Sequence, residues 1–200
     1  MARFHSRAWL VASLALLLVP GAQAGRDTHE RTYPPHMVAV AADASSFYLE
    51  FRARNETGGF GHSYITFGTI DGNGQLRETS IVGFMPRSAD DDYWSKFALP
   101  VAGIVGVTRS DRVRRPDVRF RIALSKADYF LVVNKVRTLS KTWTDYELVM
   151  QNCNNFVGEI ARSLNLRTPL ITTQYPVGYV AELQALNLPL ASKRLTKAHF

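Results

Sequence analysis

The stretch "HSYITFGTI DGNG QLRETSIVGF", residues 62–84, holds two β-rich runs on either side of an Asp-Gly and Asn-Gly turn. Glycine and asparagine enter the positive-φ turns that match the twist of paired strands, so these residues predict an antiparallel hairpin. Upstream, "SFYLEFRAR" (46–54) alternates Phe47, Leu49 and Phe51 with more polar neighbours, the period of a half-buried strand. "NETGGFG" (55–61) reads as a flexible turn between these strands, and "VAGIVGV" (101–107) and "VRFRIAL" (118–124) read as further strands. The pattern then becomes helical. Ser125 is placed to cap "KADYFLVVNKVRTLSK", a second helix begins near Asn152, and "YPVGYVAELQAL" (175–186) forms a third. Strands first and helices mostly later predict an α+β domain with an antiparallel sheet.

The N-terminal "MARFHSRAWLVASLALLLVPGAQAG" has the three parts of a secretory signal. Arg3 and Arg7 give a positive start, Trp9 to Val19 an apolar run, and Ala22-Gln23-Ala24 a small-residue cleavage site. Cleavage near Ala24 is expected to yield a periplasmic or secreted product without a transmembrane segment. Removing 24 of 200 residues leaves 176, enough for one domain over 45–200 after a polar, extended or flexible lead-in over 25–44. The removed segment carries two arginines and no acids, so the formal charge of +7 falls to +5. A basic surface of this size suits anionic neighbours such as cell-wall polymers, lipid headgroups or acidic peptides, without choosing among them.

Cys153 is the only cysteine in the chain. An exported protein meets an oxidising compartment, yet one cysteine forms no internal bridge, so the thiol is buried, paired between chains, or kept for its reactivity. On a helix starting at Asn152, the residues Cys153, Phe156, Val157, Ile160 and Leu164 share one face. Asn152 suits the cap, and the free amides of the first turn favour a thiolate and an oxyanion. A small apolar residue on a buried face is the competing reading of Cys153. Histidine content bears on the choice. His5 falls in the signal, His29 and His36 in the lead-in and His199 beside the C-terminus, which leaves His62 within the patterned domain. Imidazole can take a proton from a thiol and return it to a leaving group near neutral pH, so His62 is the candidate base.

The order "GHSYITFG" and then, after a long gap, "NCNNFV" at a helix start resembles the circularly permuted papain-like superfamily, which includes NlpC-type peptidases and lecithin–retinol acyltransferase-like proteins. The matching positions are His62, Asn152, Cys153 and Phe156, and "YPVGYVAEL" resembles a C-terminal helix of exported members. The resemblance implies an antiparallel sheet packed against the cysteine-bearing helix, with thiolate attack on an acyl carbon. It also implies a polar residue, usually from the strand after the histidine, that orients the ring. Glu78 is the first candidate, with Thr79 or Gln75 behind it, and a solvated strand residue is the other reading of Glu78.

"RSDRVRRPDVRFR" (109–121) carries six arginines and two aspartates, and its alternation reads as a solvated strand face rather than an anion-binding site. No nucleic-acid module, cofactor motif or metal-ligand spacing is present. Three functions remain open: a hydrolase that cleaves amide bonds in peptides or peptidoglycan, a lipid acyltransferase or thioesterase using the same Cys153 and His62, and a non-catalytic binding protein with the same fold.

Overall fold

The structure is a computed structural model that describes residues 46–57, 59–88 and 99–197. The expected signal segment and lead-in lie outside the described residues. Six strands form one sheet: β1 (Ser46–Arg54), β2 (His62–Ile70), β3 (Leu76–Pro86), β4 (Val101–Gly106), β5 (Val118–Leu124) and β6 (Asp145–Tyr146). Their order is β5-β1-β2-β3-β4-β6, and every neighbouring pair is antiparallel. Among the described residues four helices accompany them, α1 (Arg109–Val113), α2 (Lys126–Thr142), α3 (Cys153–Ser163) and α4 (Pro176–Lys197). The molecule is therefore an α+β protein built on an antiparallel sheet. Among the described residues no helix is long and apolar enough to cross a membrane.

The hairpin that opened the sequence reading is closed by the Asp71 side chain, whose Oδ1 accepts from the amides of Asn73 (3.0 Å) and Gln75 (2.9 Å). Gly74 completes the turn at φ 74°, a conformation that disfavours residues with a Cβ. Beyond the turn, the register between β2 and β3 shifts. Phe67 faces Ser80 but Gly68 faces Glu78, so β3 carries Thr79 as an extra residue, and side-chain alternation changes phase there.

One sheet face is apolar. Leu49, Phe51 and Ala53 of β1, Ile65 and Phe67 of β2, Phe84 of β3 and the alternate residues Val118, Phe120, Ile122 and Leu124 of β5 all pack into one core. Helices α2, α3 and α4 cover this face with Val132 and Leu139, with Phe156, Val157 and Ile160, and with Tyr179, Val180 and Leu183. Each large side chain removed from water there contributes on the order of 1.5–3 kcal/mol.

Two elements depart from the sequence reading. Between the strands expected at 101–107 and 118–124, Thr108 and Asp111 form a capping box that begins helix α1, an element the sequence reading did not include. Arg121 is only partly solvated: its Nε donates to Glu50 Oε2 at 2.6 Å, and the carboxylate of Glu50 is buried.

Candidate active site

Asn152 starts helix α3. Its Oδ1 accepts from the amides of Asn154 (2.8 Å) and Asn155 (3.0 Å), while Asn155 Oδ1 accepts from the Asn152 amide (3.0 Å), a reciprocal capping box. The Asn152 Nδ2 donates in turn to the carbonyls of Leu148 (2.6 Å) and Thr172 (3.2 Å), which ties two loops to the helix start. Cys153 is therefore the first helical residue, held on an anchored turn with the positive end of the helix dipole beside its sulfur. Asn154, the next residue, is 2% exposed.

β2 brings two consecutive residues to this thiol. Gly61 precedes it at φ 82°, and a Cβ there would lie 2.3 Å from the Arg54 carbonyl oxygen, so only glycine lets the chain turn into the strand so closely. His62 then pairs with Arg54, and its side chain falls on the sheet face opposite the apolar core, beside Tyr64 at 5.8 Å between ring centres. Ser63 points to the helix side, where its Oγ donates to Asn154 Oδ1 at 2.8 Å. Both residues reach Cys153. Burial pushes the thiol up, but the hydrogen bond and charge of His62, together with side-chain and backbone bonds from Ser63, outweigh it and hold the thiol below its ordinary value. Burial pushes the neighbouring Tyr64 phenol up to about 12, so it stays neutral beside the imidazole.

The acid nearest His62 is Asp111 of α1, whose Oδ2 lies 3.8 Å from Nε2. Asp111 is 3% exposed and firmly held. Its Oδ1 accepts from Arg54 Nε (3.1 Å), its Oδ2 from the Thr108 amide (2.9 Å), and Arg54 also pairs with Glu56. Nε2 itself makes no hydrogen bond and overlies Gly83, where a Cβ would come within 2.5 Å of it.

Glu78 is elsewhere. It stands opposite Gly68, six residues along β2 from His62 and roughly 20 Å away, and forms an ion pair with Arg52 at 3.1 Å. Gln75 lies in the hairpin turn, and the side chain of Thr79 is outside the described residues. The structure thus joins Cys153 to His62 and leaves Glu78 apart, while Asp111 escaped the sequence reading. The signal for it was present as Thr108-x-x-Asp111, a helix-start signature within a segment dominated by arginines.

A cleft of about 540 Å³ opens on the His62 side, lined among others by Arg54, Phe60, His62, Ile104, Thr108 and Tyr146. Paired Gly83 and Gly106 lie where β3 meets β4, and Gly106 and Ile104 contribute to the wall. Cys153, 5% exposed, does not line this cleft. Among the described residues no three His, Cys, Asp or Glu side chains gather as a metal site. No family model matches the chain, and no curated protein or solved structure matches it.

Proposed function

We propose that the protein is an exported cysteine hydrolase of the permuted papain-like kind, which cleaves amide bonds in peptide or cell-wall substrates. One observation carries this reading: Cys153 is buried at the first turn of a helix capped by Asn152, where burial alone would make its thiol less acidic, yet His62 holds it below its ordinary value. A structural cysteine has no use for that arrangement.

The chemistry follows from the residues present. His62 takes the Cys153 proton, and the thiolate attacks the acyl carbon. The amides of Asn154 and Asn155 are occupied by Asn152 Oδ1, so the Cys153 amide is the first-turn donor available to the oxyanion. As the C–N bond breaks, the imidazolium of His62 gives its proton to the leaving amine. Water then attacks the thioester, His62 accepts the water's proton, and release of the carboxylic product returns the thiol. Asp111 stabilises the imidazolium across 3.8 Å.

A lipid acyl substrate is the second reading. It is favoured by exposed Met150, Leu170 and Ile171, which lie on the two loops that Asn152 ties to the helix start.

Alkylation of Cys153 in folded protein tests the common core of both readings, and the absence of any other cysteine makes the signal unambiguous. Iodoacetamide is expected to react with a pH midpoint below that of a free thiol, about 8.5, and His62→Ala is expected to slow labelling near pH 6 by about tenfold. Labelling with an ordinary midpoint, or only on unfolding, means that Cys153 is not a nucleophile. Release of amine from acylated peptides, compared with acyl transfer from phospholipid vesicles, separates the substrates.

A further inference from the structure

We infer that the cleft beside His62 binds the amine side of the substrate, and that it takes an apolar amino acid or short peptide ending in a free carboxylate. The inference rests on reading the protein as an amide hydrolase and adds what the departing amine carries.

Strand register builds the cleft. Tyr64 of β2 faces Gly83 of β3, which faces Gly106 of β4, so two neighbouring glycines leave a hollow in the sheet surface next to the imidazole. The Arg87 amide donates to the Ala102 carbonyl at 2.8 Å and extends this ladder one residue past β3. Side chains alternate along a strand, so Met85 and Arg87 follow Gly83 on the same face, and Ile104, opposite Met85, joins them. A Cβ on Gly83 would collide with His62, whereas one on Gly106 meets nothing nearer than Ile104 Cγ1 at 4.0 Å. The space over Gly106 is therefore open. Phe60, Met85, Ile104 and Tyr146 surround it with apolar surface, and its volume of about 540 Å³ falls within the range of small-molecule sites, about 300–1,000 Å³.

Charge adds a requirement. Arg54 meets Asp111 Oδ1 at 3.1 Å and also pairs with Glu56, and Glu56 Oε1 in turn accepts from Arg114 at 3.0 Å. His62 has Asp111 at 3.8 Å. Arg87 is exposed and, among the described residues, its guanidinium has no hydrogen bond or ion pair. One uncompensated cation at the edge of an apolar hollow suits a ligand with an apolar side chain and a single negative charge. A guanidinium holds a carboxylate through two parallel hydrogen bonds.

Which half of the substrate lies here follows from the reaction. The acyl carbon joins Cys153, which does not line the cleft, and the amine takes its proton from His62, which does. The two compartments adjoin at Phe60. Its ring lines the cleft and packs against Tyr175 at 5.9 Å between centres, while the adjacent Gln174 carbonyl accepts from Asn154, the neighbour of Cys153, at 2.8 Å. An amide bond crossing beside Phe60 has its carbonyl toward the helix start and its nitrogen toward the cleft. As the C–N bond breaks, the nitrogen gains the His62 proton and the acyl group stays on sulfur until water removes it. The carboxylate at Arg87 takes no part in the bond changes.

A peptide library tested against the full chain decides the matter. Its members end in leucine or phenylalanine, vary on the acyl side, and are each made with a free C-terminal carboxylate and as the C-terminal amide. Mass spectrometry of the released amines is expected to show a kcat/KM about tenfold or more higher for the carboxylates, cut one or two residues from the end. Arg87→Gln, an exposed substitution, is expected to bring that preference below about threefold, mainly through KM. Gly106→Leu fills the hollow and is expected to slow cleavage by about tenfold or more, while Cys153 alkylation keeps its pH midpoint. Should leucine disturb the pairing of β3 and β4, Ile104→Trp fills the same space from a side chain that is already 43% exposed. Cleavage without a carboxylate preference, a preference that survives Arg87→Gln, or cleavage undiminished in both filled variants overturns the inference and leaves the hydrolase standing. A low alkylation midpoint with no library member cleaved overturns the amide-hydrolase reading together with the inference, and an ordinary midpoint overturns Cys153 as the nucleophile, so the failures are distinguishable.

Discussion

The two faces of the sheet are both buried, but by different means. On one, Leu49, Phe51, Ile65 and Phe120 meet three helices, and the stabilisation is non-directional burial of apolar surface. On the other, Tyr48, Glu50, Arg54, His62, Tyr64 and Thr66 are equally hidden from water, and the charged ones among them depend on pairing: Glu50 holds Arg52 and Arg121, and Asp111 holds Arg54, while the Tyr48, Tyr64 and Thr66 hydroxyls and His62 Nε2 make no hydrogen bond. The contrast shows where a fold can carry chemistry. The apolar face tolerates exchanges that conserve volume, whereas the polar face imposes orientation, which a proton-transfer site needs. The faces meet at the start of β2. His62 and Ser63 are consecutive and project to opposite sides, yet both reach Cys153 at the start of α3.

The largest expected effects test whether the polar face is a core in its own right. Phe51→Ala should cost about 3–5 kcal/mol through the cavity it leaves. Glu50→Ala should cost a comparable amount, about 3–5 kcal/mol, by leaving Arg52 and Arg121 without their shared buried carboxylate. Urea unfolding of both variants makes the comparison. A loss below about 1 kcal/mol for Glu50→Ala alone means that the polar face is decoration on a sheet stabilised from the other side.

A smaller effect, confined to the site, comes from Gly83→Ala. The added Cβ would meet His62 Nε2 at 2.5 Å, Cε1 at 3.0 Å and the Tyr64 Cβ at 3.1 Å. The imidazole is the part able to move, so the strain is relieved by displacing His62. Alkylation near pH 6 should fall by about tenfold, as in His62→Ala, with little change in melting temperature. A large drop in melting temperature with unchanged labelling reverses that assignment and makes the glycine a backbone requirement of β3.

The hairpin, the strand limits at 46–54, 62–70 and 118–124, and the cap at Asn152 were legible because each has a local cause: alternation, turn residues or a side chain that satisfies helix amides. Cys153 and His62 were legible by scarcity, as the chain offers few thiols and imidazoles. The third residue was not legible, for two physical reasons. The extra residue in β3 changes the phase of alternation at Thr79, so the face of Glu78 could not be inferred from its neighbours. Asp111 approaches His62 from a helix 49 positions later in the chain, a contact set by tertiary packing and hidden among arginines. Asn154 illustrates a related limit. A polar residue in the first turn of a helix gives no local sign of burial, yet its side chain makes three hydrogen bonds in the interior and its backbone amide a fourth.

The smallest effect belongs to Asp111→Asn, and its size follows from competition between charges. Two unit charges 3.8 Å apart at an effective dielectric of about 20 interact by roughly 4 kcal/mol, which taken alone would make Asp111 decisive for an imidazolium at His62. Arg54 lies on the same carboxylate at 3.1 Å and offsets most of that field. Asparagine also keeps an oxygen for either the Arg54 or the Thr108 bond, though not for both. The net loss should therefore be a few-fold slowing of Cys153 alkylation at neutral pH. The sign is set by the missing negative charge, since removing it disfavours the charged ring and with it the thiolate–imidazolium pair. Alkylation rates of Asp111→Asn and His62→Ala, measured side by side at neutral pH, check it. If Asp111→Asn slows labelling as severely as His62→Ala, Arg54 does not screen the carboxylate and Asp111 is a full partner in the proton transfer. If the labelling does not change, Asp111 serves only to cap α1 and hold Arg54, and the site is a Cys153–His62 dyad.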